Sequence, residues 1–205
     1  MPPALSPRKR PRQQRSTATV DAILDGAAHI LESHGLEGFN TNAVAVRAGV
    51  SVGSLYQYFP GKDAVMAALI RRDARDFLSL TQDAAANDGA WTAALERLVD
   101  VAVAHQLDSP TLARILDFEE ARLPLDPETS QAEDAMQRLI AEILRRAPGA
   151  QPAACAEAAA DLLHIARALI DAEGRNPAPD RAGLKRRVLR AAFGYLAQPP
   201  PIEHR

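Results

Sequence analysis

The segment Gly49–Lys62, GVSVGSLYQYFPGK, gathers the side chains best suited to reading another polar surface. Leu55 and Phe59, four residues apart, point to one side of a short helix. Around them lie Val52, Gly53, Ser54, Tyr56, Gln57 and Tyr58: small groups, hydroxyls and an amide, with no acid. Carboxylates on such a face would repel phosphate, so their absence suits the major groove of DNA. A glutamine amide can pair with an adenine edge, and small residues allow close approach. Gly53 costs a helix about 1 kcal/mol relative to alanine. A backbone laid against a phosphate or base edge would account for that cost.

Other reactive residues form no comparable set. The chain has no nucleophile elbow, P-loop or dinucleotide-binding glycine pattern. His29, His34, His105, His164 and His204 lack the close spacing of metal ligands, and no metal or cofactor is expected. Asp117, Glu119 and Glu120 could pair as carboxylates, yet Arg114 and Arg122 on the same helix read them as a solvated or salt-bridged face. Cys155 is the only cysteine, which excludes an intrachain disulfide and a cysteine-rich zinc site. It sits among alanines with no adjacent cation to lower its pKa, and reads as a small packed residue. Catalysis is therefore not expected. Trp91, His105, Arg114, Phe118, Met136 and His164 mix apolar walls with polar tips, as small-molecule pockets do. Each alone reads more readily as a core or surface residue than as part of a pocket.

The elements that must position these residues are all helical. Alanine supplies about a fifth of the chain, which favours helix strongly. Aromatics are only 4%. Val20, Ile23, Leu24, Ala27, Ile30 and Leu31 fall on one face of a helix that starts near Ser16 and stops at Gly35. Leu36 and Phe39 are expected to close the same core. Asn40 or Thr41 can cap a short second helix that Gly49 breaks. Ser51 can cap a third, running to about Phe59, before Pro60-Gly61. A long fourth helix starts at about Lys62. Five more follow, separated by polar or proline breaks: Trp91 to Leu107, Thr111 to Leu123, Glu128 to Arg146, Pro152 to Glu173 and Asp180 to Ala197. The tight turn Ala48-Gly49-Val50-Ser51 between two short helices has the spacing of a helix-turn-helix.

With the turn, the Leu-Tyr-x-Tyr-Phe helix and the lysine opening the next helix in this order, Ser16 to Leu69 strongly resembles the TetR family of transcriptional regulators. The resemblance implies an all-helical homodimer whose N-terminal helices bind operator DNA and whose C-terminal helices bind a small molecule and dimerise. It places Thr41 and Asn42 at the DNA-facing start of the second helix. Val52, Gly53, Ser54, Tyr56, Gln57 and Tyr58 become recognition-helix contacts, and Lys62 a phosphate contact aided by the helix dipole. Gly61 stands where a serine or asparagine cap is frequent in the family, and Asp63 where glutamate is. A dimeric small-molecule-binding protein without DNA binding is the alternative reading, and the intact Ser51–Lys62 face argues against it.

The C-terminal body resembles the family only in architecture. Leu162, Leu163, Ala166, Leu169 and Ile170 form a stripe with small neighbours, and Leu184, Val188, Leu189, Ala192, Phe193 and Leu196 form a matching one on the last helix. Two such helices from each subunit would make a four-helix dimer interface. An intrachain core is the competing reading of the same stripes.

Charge and length complete the outline. Residues 1–62 carry seven basic residues against four acidic ones, whereas the whole 205-residue chain has a net charge of −2. A basic N-terminal part on an acidic body suits a nucleic-acid module, or a solvated tail. Residues 1–15 read as a disordered basic arm, 16–62 as the DNA-binding domain, 63–198 as the effector and dimerisation domain, and 199–205 as a tail. No run is apolar enough to span a membrane and no signal peptide pattern opens the chain, so a cytoplasmic protein is expected.

Overall fold

A computed structural model describes residues 14–86, 89–124 and 127–197. The basic arm through residue 13 and the tail from 198 lie outside the described residues. The elements are α1 (Gln14–Gly38), α2 (Thr41–Arg47), α3 (Val52–Tyr58), α4 (Lys62–Ala85), α5 (Trp91–Asp108), α6 (Pro110–Arg122), α7 (Pro127–Leu144), α8 (Pro152–Gly174) and α9 (Arg181–Ala197). The all-α architecture expected from composition and periodicity is the one observed. Among the described residues no helix is long and apolar enough to cross a membrane.

The chain forms two compact units. The first holds α1–α3, the part of α4 through Asp76, and residues 109–130 with α6. Its core is the α1 stripe Ile23, Leu24, Ala27, Ile30 and Leu31, joined by Phe39, Leu55, Phe59, Val65 and Leu69, with Ile115 and Leu116 from α6. Gly26 lets α1 and α2 approach closely, since a Cβ there would lie 3.2 Å from the Val44 carbonyl oxygen. Gly35, at φ 63°, breaks the helical run of α1 as its position in the pattern requires. Leu36, expected to close the core, is instead exposed, and Phe39 alone turns inward. The break at Gly35 redirects the chain, so two residues three apart there no longer share a helical face.

α6 is held to its neighbours by polar contacts as well. Its N-terminus starts with Pro110, and Ser109 makes no side-chain cap. The Glu32 carboxylate on α1 fills that role, accepting the Leu112 amide at 2.6 Å.

The second unit holds the rest of α4, α5, α7 from Gln131 on, α8 and α9. One cluster joins Leu95, Leu98, Met136, Ile140, Ile143, Cys155, Ala159 and Leu162, and another joins Val99, Val103, Ile170, Leu184 and Val188. Cys155 is buried, as a packed small residue should be.

The turn between α8 and α9 is organised by one buried carboxylate. Glu173 accepts the Asp180 amide at 2.9 Å, the Asn176 side-chain amide at 3.1 Å, and the Arg187 guanidinium. The Arg187 hydrogen bond first, and the Asp180 amide next, hold its acid strength above that of an ordinary carboxylate, so its pKa is lowered. A depressed folded pKa contributes stability that is present above the unfolded value and lost as pH falls through the folded one. Glu173→Gln should therefore lower Tm near neutral pH. The gap between variant and wild type should close on acidification below about pH 4.5. Thermal melts of both proteins across that range check it. A gap that stays constant to about pH 3 would show that the Glu173 charge does not hold the turn.

Candidate nucleic-acid interface

The helix-turn-helix is built by local capping. Asn40 precedes α2 and its side chain accepts the Ala43 amide at 2.9 Å. After α2, Gly49 takes φ 67°, which carries the chain through the turn. The Val50 amide then bonds the Ala45 carbonyl at 3.0 Å, and Val50 packs against the first unit's core. Ser51 caps α3, accepting the Ser54 amide at 3.0 Å. Its hydroxyl also lies 2.8 Å from that of Ser54. Every residue of the turn thus has the role its type indicates.

Leu55 and Phe59 are fully buried, which fixes the rotation of α3. Gly53, Tyr56 and Gln57 are consequently exposed, and Val52, Ser54 and Tyr58 half-buried. Val52 and Tyr58 also pack against the core, so part of their surface is already used. Thr41 and Tyr56 meet, hydroxyl to hydroxyl, at 3.2 Å, tying the first residue of α2 to the exposed ring on α3. Asn42 and Lys62 are exposed. Asp63, the acid beside Lys62, is engaged by Arg122 at 3.3 Å. The face is therefore small, polar and without a carboxylate on α2 or α3.

Sequence reasoning passed over two neighbours. Val46 and Arg47 are exposed on the last turn of α2, Val46 at 81%. Arg47 adds a cation to the unit. Neither residue breaks a periodicity or makes a cap, so only their exposure marks them.

Two family models match the chain. One, described as bacterial regulatory proteins of the tetR family, covers residues 23–69, and the other, a tetracyclin repressor-like C-terminal domain, covers residues 90–196. The chain belongs to the TetR family. Among curated relatives it is 31% identical over 133 residues to the HTH-type transcriptional repressor DrrR1 of Streptomyces coeruleorubidus, covering 65% of this chain and 46% of that protein. It is 28% identical over 143 residues to the HTH-type transcriptional repressor KstR of Rhodococcus jostii, covering 59% of this chain and 66% of that one. The matches thus span less than two thirds of either relative's length. Among solved structures, a TetR-family regulator from Streptomyces coelicolor matches with a TM-score of 0.68 at 25% identity, over 90% of this chain and all of that one. The fatty acid degradation regulator FadR from Bacillus halodurans shares the fold, with a TM-score of 0.71 at 17% identity, over 93% and 100% of the two chains.

The residues expected to line an effector pocket are spread over both units of this TetR-family chain. Trp91 packs edge-on against Phe193 at 6.1 Å, and His105 lies against Phe77 at 4.6 Å. Met136 is buried in the core. His164 is exposed, 3.8 Å from Glu133. Arg114 and Phe118 are exposed on α6, in the first unit. The six thus do not converge within one unit. A cleft of about 470 Å³ in the second unit is lined by Asp180, Gly183, Arg186, Arg187 and Arg190. Among the described residues no group of three or more His, Cys, Asp or Glu side chains could hold a metal ion.

The stripes expected at the dimer interface also pack within the chain. Leu162, Ile170, Leu184 and Val188 are buried. Leu163, Ala166, Leu169, Leu189, Ala192, Phe193 and Leu196 pack against the same clusters. These residues thus contribute to the intrachain core, while Leu163, Leu169, Leu189, Phe193 and Leu196 remain only half-buried.

Proposed function

We propose that this protein is a DNA-binding transcriptional regulator. It binds a palindromic operator as a homodimer, represses, and is released by a small-molecule effector. The observation that carries the reading is the exposed, acid-free face of Gly53, Tyr56 and Gln57 on α3, held outward by fully buried Leu55 and Phe59. Residues 16–62 supply DNA binding and residues 63–198 the effector and dimer functions. Two recognition helices of a dimer would enter successive major grooves about 34–36 Å apart. Thr41, Asn42, Val52, Ser54 and Tyr58 would flank the contact. The curated relatives DrrR1 and KstR are named as repressors, which supports that sign of regulation.

Lys62 tests the docking. It is exposed at the first residue of α4, where the helix N-terminus also attracts phosphate. Lys62→Ala should weaken binding to the DNA upstream of the chain's own gene and to unrelated DNA about equally. It should also reduce the slope of log affinity against log salt by about one for each phosphate that Lys62 neutralises. Gel shifts or fluorescence anisotropy at several salt concentrations read both. Binding to neither DNA by the wild type would overturn the function itself, and an unchanged slope would remove Lys62 from the interface.

A further inference from the structure

Tyr56 and Tyr58 stand two residues apart on α3 and are held in different ways. Tyr58 is half-buried and packs against the apolar core of the first unit. Tyr56 is 42% exposed and belongs to no apolar cluster among the described residues. Its ring is fixed at the tip, where its hydroxyl lies 3.2 Å from that of Thr41. Thr41 can reach it because of its place in α2. A threonine inside a helix commonly donates to the carbonyl one turn back, as Thr81 does to Phe77 at 3.1 Å. Thr41 is the first residue of α2 and has no preceding turn of its own helix. Its hydroxyl is left for α3.

The proton count of the pair calls for a partner outside the chain. Each hydroxyl carries one proton, and the bond between them uses one. One proton remains, and neither α2 nor α3 carries a carboxylate to take it. A hydroxyl that already accepts a hydrogen bond is a stronger donor. A phenol also donates more strongly than an aliphatic alcohol, and Tyr56 is the more exposed of the two residues. The matching partner is an oxygen that only accepts, and DNA phosphates supply such oxygens.

We propose that Thr41 is a positioning residue for DNA binding: it donates to the Tyr56 oxygen and holds the ring in place, and the Tyr56 hydroxyl donates its own proton to a phosphate oxygen. The inference rests on the DNA-binding reading above and gives Thr41 a role that acts through Tyr56. A ring without this anchor has to be ordered when DNA arrives, and ordering one such side chain weakens binding about two- to tenfold per subunit. Because the contact goes to a phosphate, it adds affinity on any sequence. Because a hydroxyl neutralises no phosphate charge, it leaves the salt slope untouched, unlike Lys62.

A double-mutant cycle tests it, read by anisotropy on the DNA upstream of the chain's own gene and on an unrelated duplex. Thr41→Val keeps the shape of the side chain and removes its hydroxyl, and it should weaken both complexes about two- to tenfold per subunit. Tyr56→Phe should weaken them at least as much. Adding Thr41→Val to Tyr56→Phe should cost nothing further, since no phenol is left to position. Thr41→Ser keeps the hydroxyl and should bind like the wild type. The salt slope should be the same in every variant. In the unbound protein, NMR relaxation of labelled tyrosine rings should show Tyr56 gaining motion in Thr41→Val and not in Thr41→Ser. Circular dichroism checks the fold, and Thr41→Ala replaces Thr41→Val should valine weaken the start of α2. Losses that multiply in the double variant would make Thr41 and Tyr56 independent contacts, overturning the positioning role while DNA binding stands. A Tyr56→Phe loss confined to the upstream DNA would overturn the phosphate assignment. A wild type that binds neither DNA would overturn the functional reading, and the inference with it.

Discussion

Gly53→Leu should abolish specific DNA binding while leaving the protein folded and slightly more stable. The two halves of this expectation have separate causes. A Cβ at Gly53 would find only the Ser51 hydroxyl at 3.9 Å, and the position is exposed. Its φ lies outside the left-handed region, so a leucine needs no backbone change. Leucine is the better helix former, and the gain is about 0.5 kcal/mol, toward the low end because Gly53 lies in the first turn of α3. In the groove the same side chain occupies space that α3 needs for base edges. Losing that approach should reduce operator affinity to the non-specific level, a loss of about 1,000-fold or more. Anisotropy titrations against operator and unrelated DNA, with a thermal melt of the same sample, report both halves. A Gly53→Leu protein that melts higher and still discriminates its operator would show that α3 does not enter the groove by this face.

Gly53 also illustrates what is legible in the sequence. Local chemistry is written in short windows. Gly49, Ser51 and Asn40 announce a turn and two caps, and Leu55 and Phe59 four apart fix which way α3 faces. The Asp117–Glu120 cluster is legible in part, since a neighbouring arginine on the same helix marks a salt-bridged face. Long-range partners are different. Arg122 meets Asp63 across 59 residues of sequence, and no periodicity within either helix reveals it. The apolar stripes on α8 and α9 show a further limit. A stripe states that a surface is covered, and is silent on whether the same chain or another copy covers it. In this fold, α5, α8 and α9 cover each other. Effector residues are marked in the sequence by type alone, and types that suit a pocket also suit a core, as Met136 and Trp91 do here.

Arg122→Met should destabilise the first unit by about 2–3 kcal/mol, and Glu119→Leu added to it should restore most of the loss. The Glu119 carboxylate has only 6% of its side chain exposed, and Arg122 binds it through Nε at 2.8 Å and a terminal nitrogen at 2.5 Å. That hydrogen bond leads the effects raising the Arg122 pKa, with Asp63 adding a smaller attraction. Removing the arginine strands a buried carboxylate, which costs about 3–5 kcal/mol when a pair is fully buried. Arg122 is 46% exposed, so water can reach part of the site and the cost falls below that range. Deleting both partners leaves no unpaired charge, and apolar replacements of similar size come out nearly neutral. The double variant therefore separates burial of a charge from loss of packing. The same pair of variants bears on DNA binding, because Arg122 also holds Asp63 at the start of α4, beside Lys62. In Arg122→Met/Glu119→Leu the fold should recover while Asp63 is left unpaired. Its free charge beside Lys62 should weaken phosphate binding, so operator affinity should stay below wild type at matched stability. Denaturant melts and salt-dependent binding isotherms measure the two effects. Equal destabilisation in the single and double variants would show that packing, and not the stranded carboxylate, sets the cost.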